Sequence, residues 1–338
     1  MMLKGRNMDY SDLRKQWDAM VSASSDNKLS EDGASLSSAK PGIAFCLGPD
    51  TYIYGVKLWD GVYIWANQIN ISRIDYAVDA MDTEEAVLIN LCHSGRCEVA
   101  MKGNSFIYMT PGILNTSVNK VKRSFLFPGG SYDGVEMLFD MKRLKDKMPA
   151  ALEEYGFDYG FFDELYKREN LLAKVSADSL NMSVKLFKTL CSENYSTEDV
   201  RFEVLSLLHC LWNGGASEIE WTNLVSKGQR RIACEVERII TEDLSKRHTI
   251  DQLASRVGVG ASAMKKYFVA VYGKPISYYL RDKRIEKAKA LLTTSDLSIG
   301  AVAAACGYEH QGKFGSVFKA AVGMAPLEFR RCNNSLGR

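Results

Sequence analysis

Two stretches of the chain, ASAMKKYFVAVY at residues 261–272 and HQGKFGSVFKAAV at residues 310–322, set hydrogen-bonding side chains beside an apolar helical stripe. In the first, Met264 and Phe268 turn inward and leave Ser262, Lys265 and Lys266 outside. In the second, Phe314 and Phe318 turn inward and leave Gln311, Lys313 and Ser316. A lysine donates to guanine O6 or N7, a glutamine brackets adenine N6 and N7, and a serine serves several base edges. These six side chains are the candidate base contacts. Lys274, Lys319, Arg330 and Arg331 suit phosphates or helix ends. The competing reading for each lysine is a solvated surface charge or a phosphate contact.

Charge agrees with that chemistry. The 338 residues carry a net charge of +2, but residues 227–338 hold 20 basic and 10 acidic side chains, whereas residues 1–226 hold 23 and 31. A basic module of this kind attracts polyanions, nucleic acid first, with acidic lipids and proteins as alternatives. At 46% hydrophobic and 10% aromatic, the chain is long and apolar enough for two packed domains. That composition excludes a disordered tail and a small cystine-stapled scaffold. No run reaches the roughly 18 apolar residues of a membrane span. The opening MMLKGRNMDYSDLRKQW alternates charge where a signal peptide would be apolar, so a cytoplasmic protein without membrane contact is expected.

Catalytic and metal chemistry find little support. The eight cysteines are scattered and read as reduced core residues, and only Cys92, His93 and Cys97 approach one another in sequence. A closed zinc site needs a fourth ligand at a recognisable spacing, so a strand pair around a turn explains them better and no metal is expected. No G-x-S-x-G, P-loop or dinucleotide fingerprint is present, and GGSYDG at residues 129–134 reads as a turn. No cofactor and no catalytic residue are assigned.

Along the chain, Tyr10–Val21 has helical spacing and residues 22–40 form a polar tract, so residues 1–40 are read as a flexible arm. Residues 41–140 contain short β-branched and aromatic segments punctuated by Gly, Asn, Asp and Pro, which predicts a β-sandwich or small barrel. Tyr52, Tyr54, Trp59, Tyr63, Trp65 and Phe106 belong to these strands, as core or as the lining of a pocket whose ligand has no signature. Residues 141–226 return to helical spacing in LKDKMPAALEEYG, DELYKRENLLAKV, LNMSVKLFKTLC and EDVRFEVLSLLHCLW. In the last, Phe202, Leu205 and Leu208, with Val204 and Leu211, predict an apolar face for the core or a partner helix, and His209 reads as a packed histidine.

From Ile232 the pattern becomes specific. An amphipathic helix over Ile232–Leu244 precedes Thr249, a cap for the helix Ile250–Val257; Gly258-Val259-Gly260 then turns the chain into a second helix that ends at Gly273. A long helix follows Pro275, and the rhythm repeats over Ser298–Cys306, Gly307-Tyr308 and His310–Val322. Met264 with Phe268 and Phe314 with Phe318 mark two helix-turn-helix units offset by 50 residues.

Over residues 229–331 the chain resembles the AraC/XylS family of bacterial transcription regulators. The resemblance rests on Leu253-Ala254, Gly258, Phe268, Gly273, Tyr279, Arg284, Ala288, Leu291-Leu292, Ile299, Ala303, Gly307-Tyr308, Gln311, Phe314, Phe318-Lys319, Gly323, Pro326 and Arg330. It implies a seven-helix domain at residues 227–338 whose two recognition helices enter successive major-groove segments of double-stranded promoter DNA, with Arg284 bracing the fold. It also implies an α+β chain: a cupin-like β-barrel sensor at 41–140 and a helical linker or dimerisation region at 141–226. The partners implied are a second copy of the chain, RNA polymerase and a small-molecule effector of unnamed identity. Two departures stand out: Gly260 replaces a serine cap, and Gly312 and Gly315 thin the second recognition helix. The alternative function is a cupin-like small-molecule-binding or enzymatic protein with a basic docking domain, distinguished by turnover or a tightly bound metal.

Overall fold

The structure, a computed structural model, describes residues 42–48, 50–75, 85–101, 103–118, 124–168, 170–192, 194–220 and 224–334. The expected arm at 1–40, with its helix at Tyr10–Val21, lies outside the described residues. The chain divides into two compact units, residues 1–103 with 107–222, and residues 104–106 with 223–338.

The first unit begins with β1 (Ile43–Gly48), β2 (Thr51–Trp59), β3 (Val62–Ile69), β4 (Arg73–Asp75), β5 (Ala86–Gly95) and β6 (Cys97–Met101). It continues through β7 (Ser105–Met109), β8 (Ile113–Val118), β9 (Ser124–Leu126) and β10 (Tyr132–Asp140). Helices α1 (Met141–Asp146), α2 (Ala150–Glu154) and α3 (Tyr159–Arg168) precede β11 (Asn170–Val175), α4 (Ala177–Cys191), α5 (Thr197–Cys210) and β12 (Ala216–Glu218). Eight strands form one antiparallel sheet in the order β1-β2-β3-β10-β5-β8-β11-β12.

The expected closed barrel is corrected by that order. Among the described residues β1 and β12 are edges that do not pair with each other, so the sheet is open. Its apolar side chains find cover elsewhere. Val62, Ile64, Ala66, Val87, Ile89, Leu91, Val135, Met137 and Phe139 alternate onto one face and share a core with Leu152, Phe162, Leu186, Leu190, Val200, Val204 and Leu207 of the helices. Each fully buried Leu, Ile or Phe contributes roughly 1.5–3 kcal/mol, so the helices close the sheet where a barrel would close on itself. Tyr63 and Trp65 bury against Ala86 and Leu138, while Tyr54 and Trp59 flank the main core.

Three further expectations change. The tail of DELYKRENLLAKV is a strand, β11, paired on both sides by β8 and β12; Leu171, Leu172, Ala173 and Val175 are all buried there. Phe202 is 64% exposed, and His209 is exposed beside Tyr155 and Asn213. At about 100° per residue the buried face of α5 runs through Val200, Val204, Leu207 and Leu211, and Phe202 and His209 fall opposite it.

His93 follows the alternation of β5. Val87, Ile89 and Leu91 face the helices, so His93 does too, and its Nε2 lies 2.7 Å from Ser183 Oγ on α4 with the ring edge-on to Phe187. Burial lowers its pKa from 6.5 to about 4, which keeps the imidazole neutral. Cys92 and Cys97 are buried, and no metal-holding group of His, Cys, Asp or Glu occurs among the described residues. No helix among the described residues is long and apolar enough to cross a membrane.

Candidate nucleic-acid interface

The second unit is helical beyond the short strand β13 (Val225–Ser226), and its helices are α6 (Lys227–Glu242), α7 (Ile250–Val257), α8 (Ala261–Tyr272), α9 (Ile276–Thr294), α10 (Ile299–Ala305), α11 (Gln311–Val322) and α12 (Pro326–Asn334). Local chemistry sets the ends. Ser226 and Thr249 make capping boxes with Gln229 and Gln252, and Ser298 Oγ accepts from the Ala301 N–H. Gly260 caps α8 without a side-chain bond.

In the first helix-turn-helix, α7 and α8, Met264 and Phe268 are fully buried, and Phe268 stacks on Tyr272 at 4.5 Å and meets Tyr279 edge-on at 5.4 Å. Tyr279 Oη donates to Glu237 Oε1 at 3.0 Å, tying α9 to α6. In the second, α10 and α11, Phe314 and Phe318 are fully buried between Tyr308 and Phe329. The 19 residues of α9 make a rod of about 28 Å joining the two.

Arg284, midway along that rod, joins the loop after α6 to the turn after α10. Its Nε donates to Leu244 O at 2.9 Å, a terminal nitrogen donates to Lys246 O at 3.0 Å, and the guanidinium lies over the Tyr308 ring at 5.7 Å. Burial depresses its pKa, and the neighbouring Tyr308 hydroxyl opposes that shift.

The candidate residues divide by surroundings. Ser262, Lys265 and Lys266 are exposed on one face of α8, and Gln311, Lys313, Ser316 and Lys319 are exposed on α11. Ser316 Oγ turns back to donate to Gly312 O at 3.1 Å. Gln311 reaches toward α10, where a Cβ built on Gly300 would lie 3.2 Å from its Oε1. Lys274 pairs with Asp282 at 2.8 Å. Arg330 donates to Leu292 O and Leu297 O, at 3.3 and 2.7 Å, and so braces the end of α9, while Arg331 is exposed. One residue the sequence reading passed over is Val269, 41% exposed on the α8 face with Lys265 and Lys266; the i+3 and i+4 spacing from them was its signal.

The glycines of α11 are not demanded by packing. A Cβ built on Gly312 or Gly315 meets nothing within 4 Å. Replacing both with alanine is expected to stabilise the domain by about 1 kcal/mol per site, read as a higher melting temperature in helical circular dichroism. An unchanged or lower value would mean that the helix needs glycine there.

A family model described as a helix-turn-helix domain matches residues 253–332. The chain is similar to the xylose operon regulatory protein of Escherichia coli K12, 34% identical over 87 residues that make up 26% of this chain and 22% of that protein. It is also similar to the HTH-type transcriptional activator RhaR of Yersinia pestis, 39% identical over 69 residues, 20% of this chain and 24% of the relative. The chain thus spans under a quarter of the length of these two relatives. Among solved structures, the DNA-binding domain of AdpA in complex with a target DNA is 25% identical and covers 30% of this chain and 93% of its own, at a TM-score of 0.30. By the family model and the segments shared with the two regulatory relatives, residues 253–332 are a helix-turn-helix domain of the AraC/XylS type.

Proposed function

We propose that the chain is a sequence-specific transcription regulator that binds double-stranded promoter DNA through residues 227–338. The observation that carries this reading is the pair of helix-turn-helix units repeated at a 50-residue offset and joined by the rod α9. One duplex turn is about 34 Å, so a single chain with two readers held apart in this way addresses two successive groove segments on one face of DNA. Ser262, Lys265, Lys266, Gln311, Lys313 and Ser316 are the base contacts in this reading, and Lys274, Lys319, Arg330 and Arg331 meet phosphates or hold helix ends. The sheet unit serves as a sensor for a small molecule or partner, the helices of 141–226 as its linker or dimerisation region, and RNA polymerase as a further contact. The function is regulatory rather than enzymatic, and activation is the direction suggested by the name of the relative RhaR.

The test recovers genomic fragments with the full-length protein and sequences them, then titrates salt on the enriched site. Enrichment of a shared motif near promoters is expected, with affinity falling steeply as salt rises. Lys265→Ala should lose about tenfold on the motif and relax preference at one position. Uniform recovery of fragments, with no preference and no salt dependence, would overturn the reading.

A further inference from the structure

The two reading helices are alike in architecture and unlike in what they present. On α8, Ser262, Lys265, Lys266 and Val269 are all exposed and stand at i, i+3, i+4 and i+7, one continuous helix face. The same spacing carries base readout on the recognition helix of homeodomains. Carried forward by the 50-residue offset that superposes Met264 on Phe314 and Gly273 on Gly323, these four positions become Gly312, Gly315, Ser316 and Lys319 on α11.

We propose that sequence discrimination by this domain resides chiefly in the α8 tetrad, with the Val269 methyl groups reading a thymine 5-methyl, and that α11, with Gln311 and Lys313 flanking the corresponding face, contributes the smaller share. The inference rests on the DNA-binding function proposed above and assigns its specificity.

Three observations support it. Val269 is apolar yet 41% exposed, on the same face as two lysines, and the 5-methyl of thymine is the apolar feature that the major groove offers. From Ser262 to Val269 the helix advances about 10 Å, three base-pair steps, so the tetrad spans about four base pairs. On α11, two of the four reading positions have no side chain, and the third spends its hydroxyl on Gly312 O. The open space beyond Gly312 and Gly315 shows that the domain's own packing does not require the missing atoms. What the glycines permit is close approach of the α11 backbone to the duplex, with Lys319 at the phosphates.

The experiment selects binding sites for the full-length protein from random duplex DNA and measures affinity for the selected site. Expected is one strongly specified block of about four base pairs with an invariant A·T pair, beside a weakly specified segment one turn away. Replacing the invariant thymine with deoxyuridine, which deletes only the methyl group, should weaken wild-type binding about fourfold. The same replacement should leave Val269→Ala unaffected, and Gly312→Ala with Gly315→Ala should select the same block. Two equally specified blocks, or a deoxyuridine penalty undiminished in Val269→Ala, would overturn the inference and leave the DNA-binding reading intact. Failure to enrich any sequence would overturn that reading and the inference with it.

Discussion

Gly307→Ala is expected to destabilise the helical unit by about 3 kcal/mol and to weaken any DNA binding that needs both readers. Gly307 follows α10 at φ +77°, a left-handed conformation that costs other residues about 1–2 kcal/mol. The larger part is steric. A Cβ at this position would lie 2.5 Å from Leu244 O and 2.5 Å from Arg284 Nη2, and neither can yield without disturbing the bond from Arg284 Nε to Leu244 O or that from Nη2 to Lys246 O. A hydrogen bond to a charged group contributes about 1.5–3 kcal/mol. Gly323→Ala is the control, since that residue also has positive φ, +86°, but its Cβ would meet nothing within 4 Å. It should lose only the conformational part, about 1 kcal/mol. Thermal melts followed by circular dichroism separate the two. Equal losses in both variants would show that the approach to Leu244 and Arg284 does not govern the position.

The sheet unit should lose up to about 3 kcal/mol of stability as pH falls from 6.5 to about 4, through His93. Its folded pKa lies below its unfolded value because burial disfavours the imidazolium. Above pH 6.5 both states hold the ring neutral and stability is fully present; below it the unfolded chain gains a proton that the folded chain refuses. The loss grows until about pH 4, where the folded ring also protonates and the slope vanishes. His93→Gln keeps an amide beside Ser183 and removes the titration. Urea denaturation followed by tryptophan fluorescence reports on this unit, because all five tryptophans precede residue 222. Wild type and variant should diverge in midpoint between pH 6.5 and 4; parallel curves would show that His93 is not the titrating group.

Local chemistry made the helical unit readable. Thr249, Gly258, Gly273, Ser298 and Gly323 announce their helix ends by capping rules that act within a few residues, and Ile250–Val257 and Ala261–Tyr272 have the bounds their sequence implies. The sheet unit was legible only strand by strand. Whether β1 meets β12 depends on pairings between residues more than a hundred apart, which no local pattern encodes. NLLAKV reads as helix or strand until β8 and β12 are in place on either side. On α5 the apolar residues surround most of the helix, so periodicity could not settle that Phe202 faces out while Val200 faces in. At the interface, residue types named Lys265 and Gln311 as donors, but only coordinates distinguish a serine turned outward from Ser316, which is bound to its own helix.

The joint at Arg284 has a mechanical consequence. One side chain at the middle of α9 grips two carbonyls of the loop after α6 and lies against Tyr308 of the second helix-turn-helix, so the two units act as the arms of a stiff caliper pinned at its joint. Such a tool does not adjust to its workpiece. A duplex engaged by both jaws has to supply the compliance itself, by bending or twisting at flexible steps, and that deformation costs on the order of 1–6 kcal/mol depending on the sequence between the contacts. Bases that no side chain touches would then still be selected, for their softness.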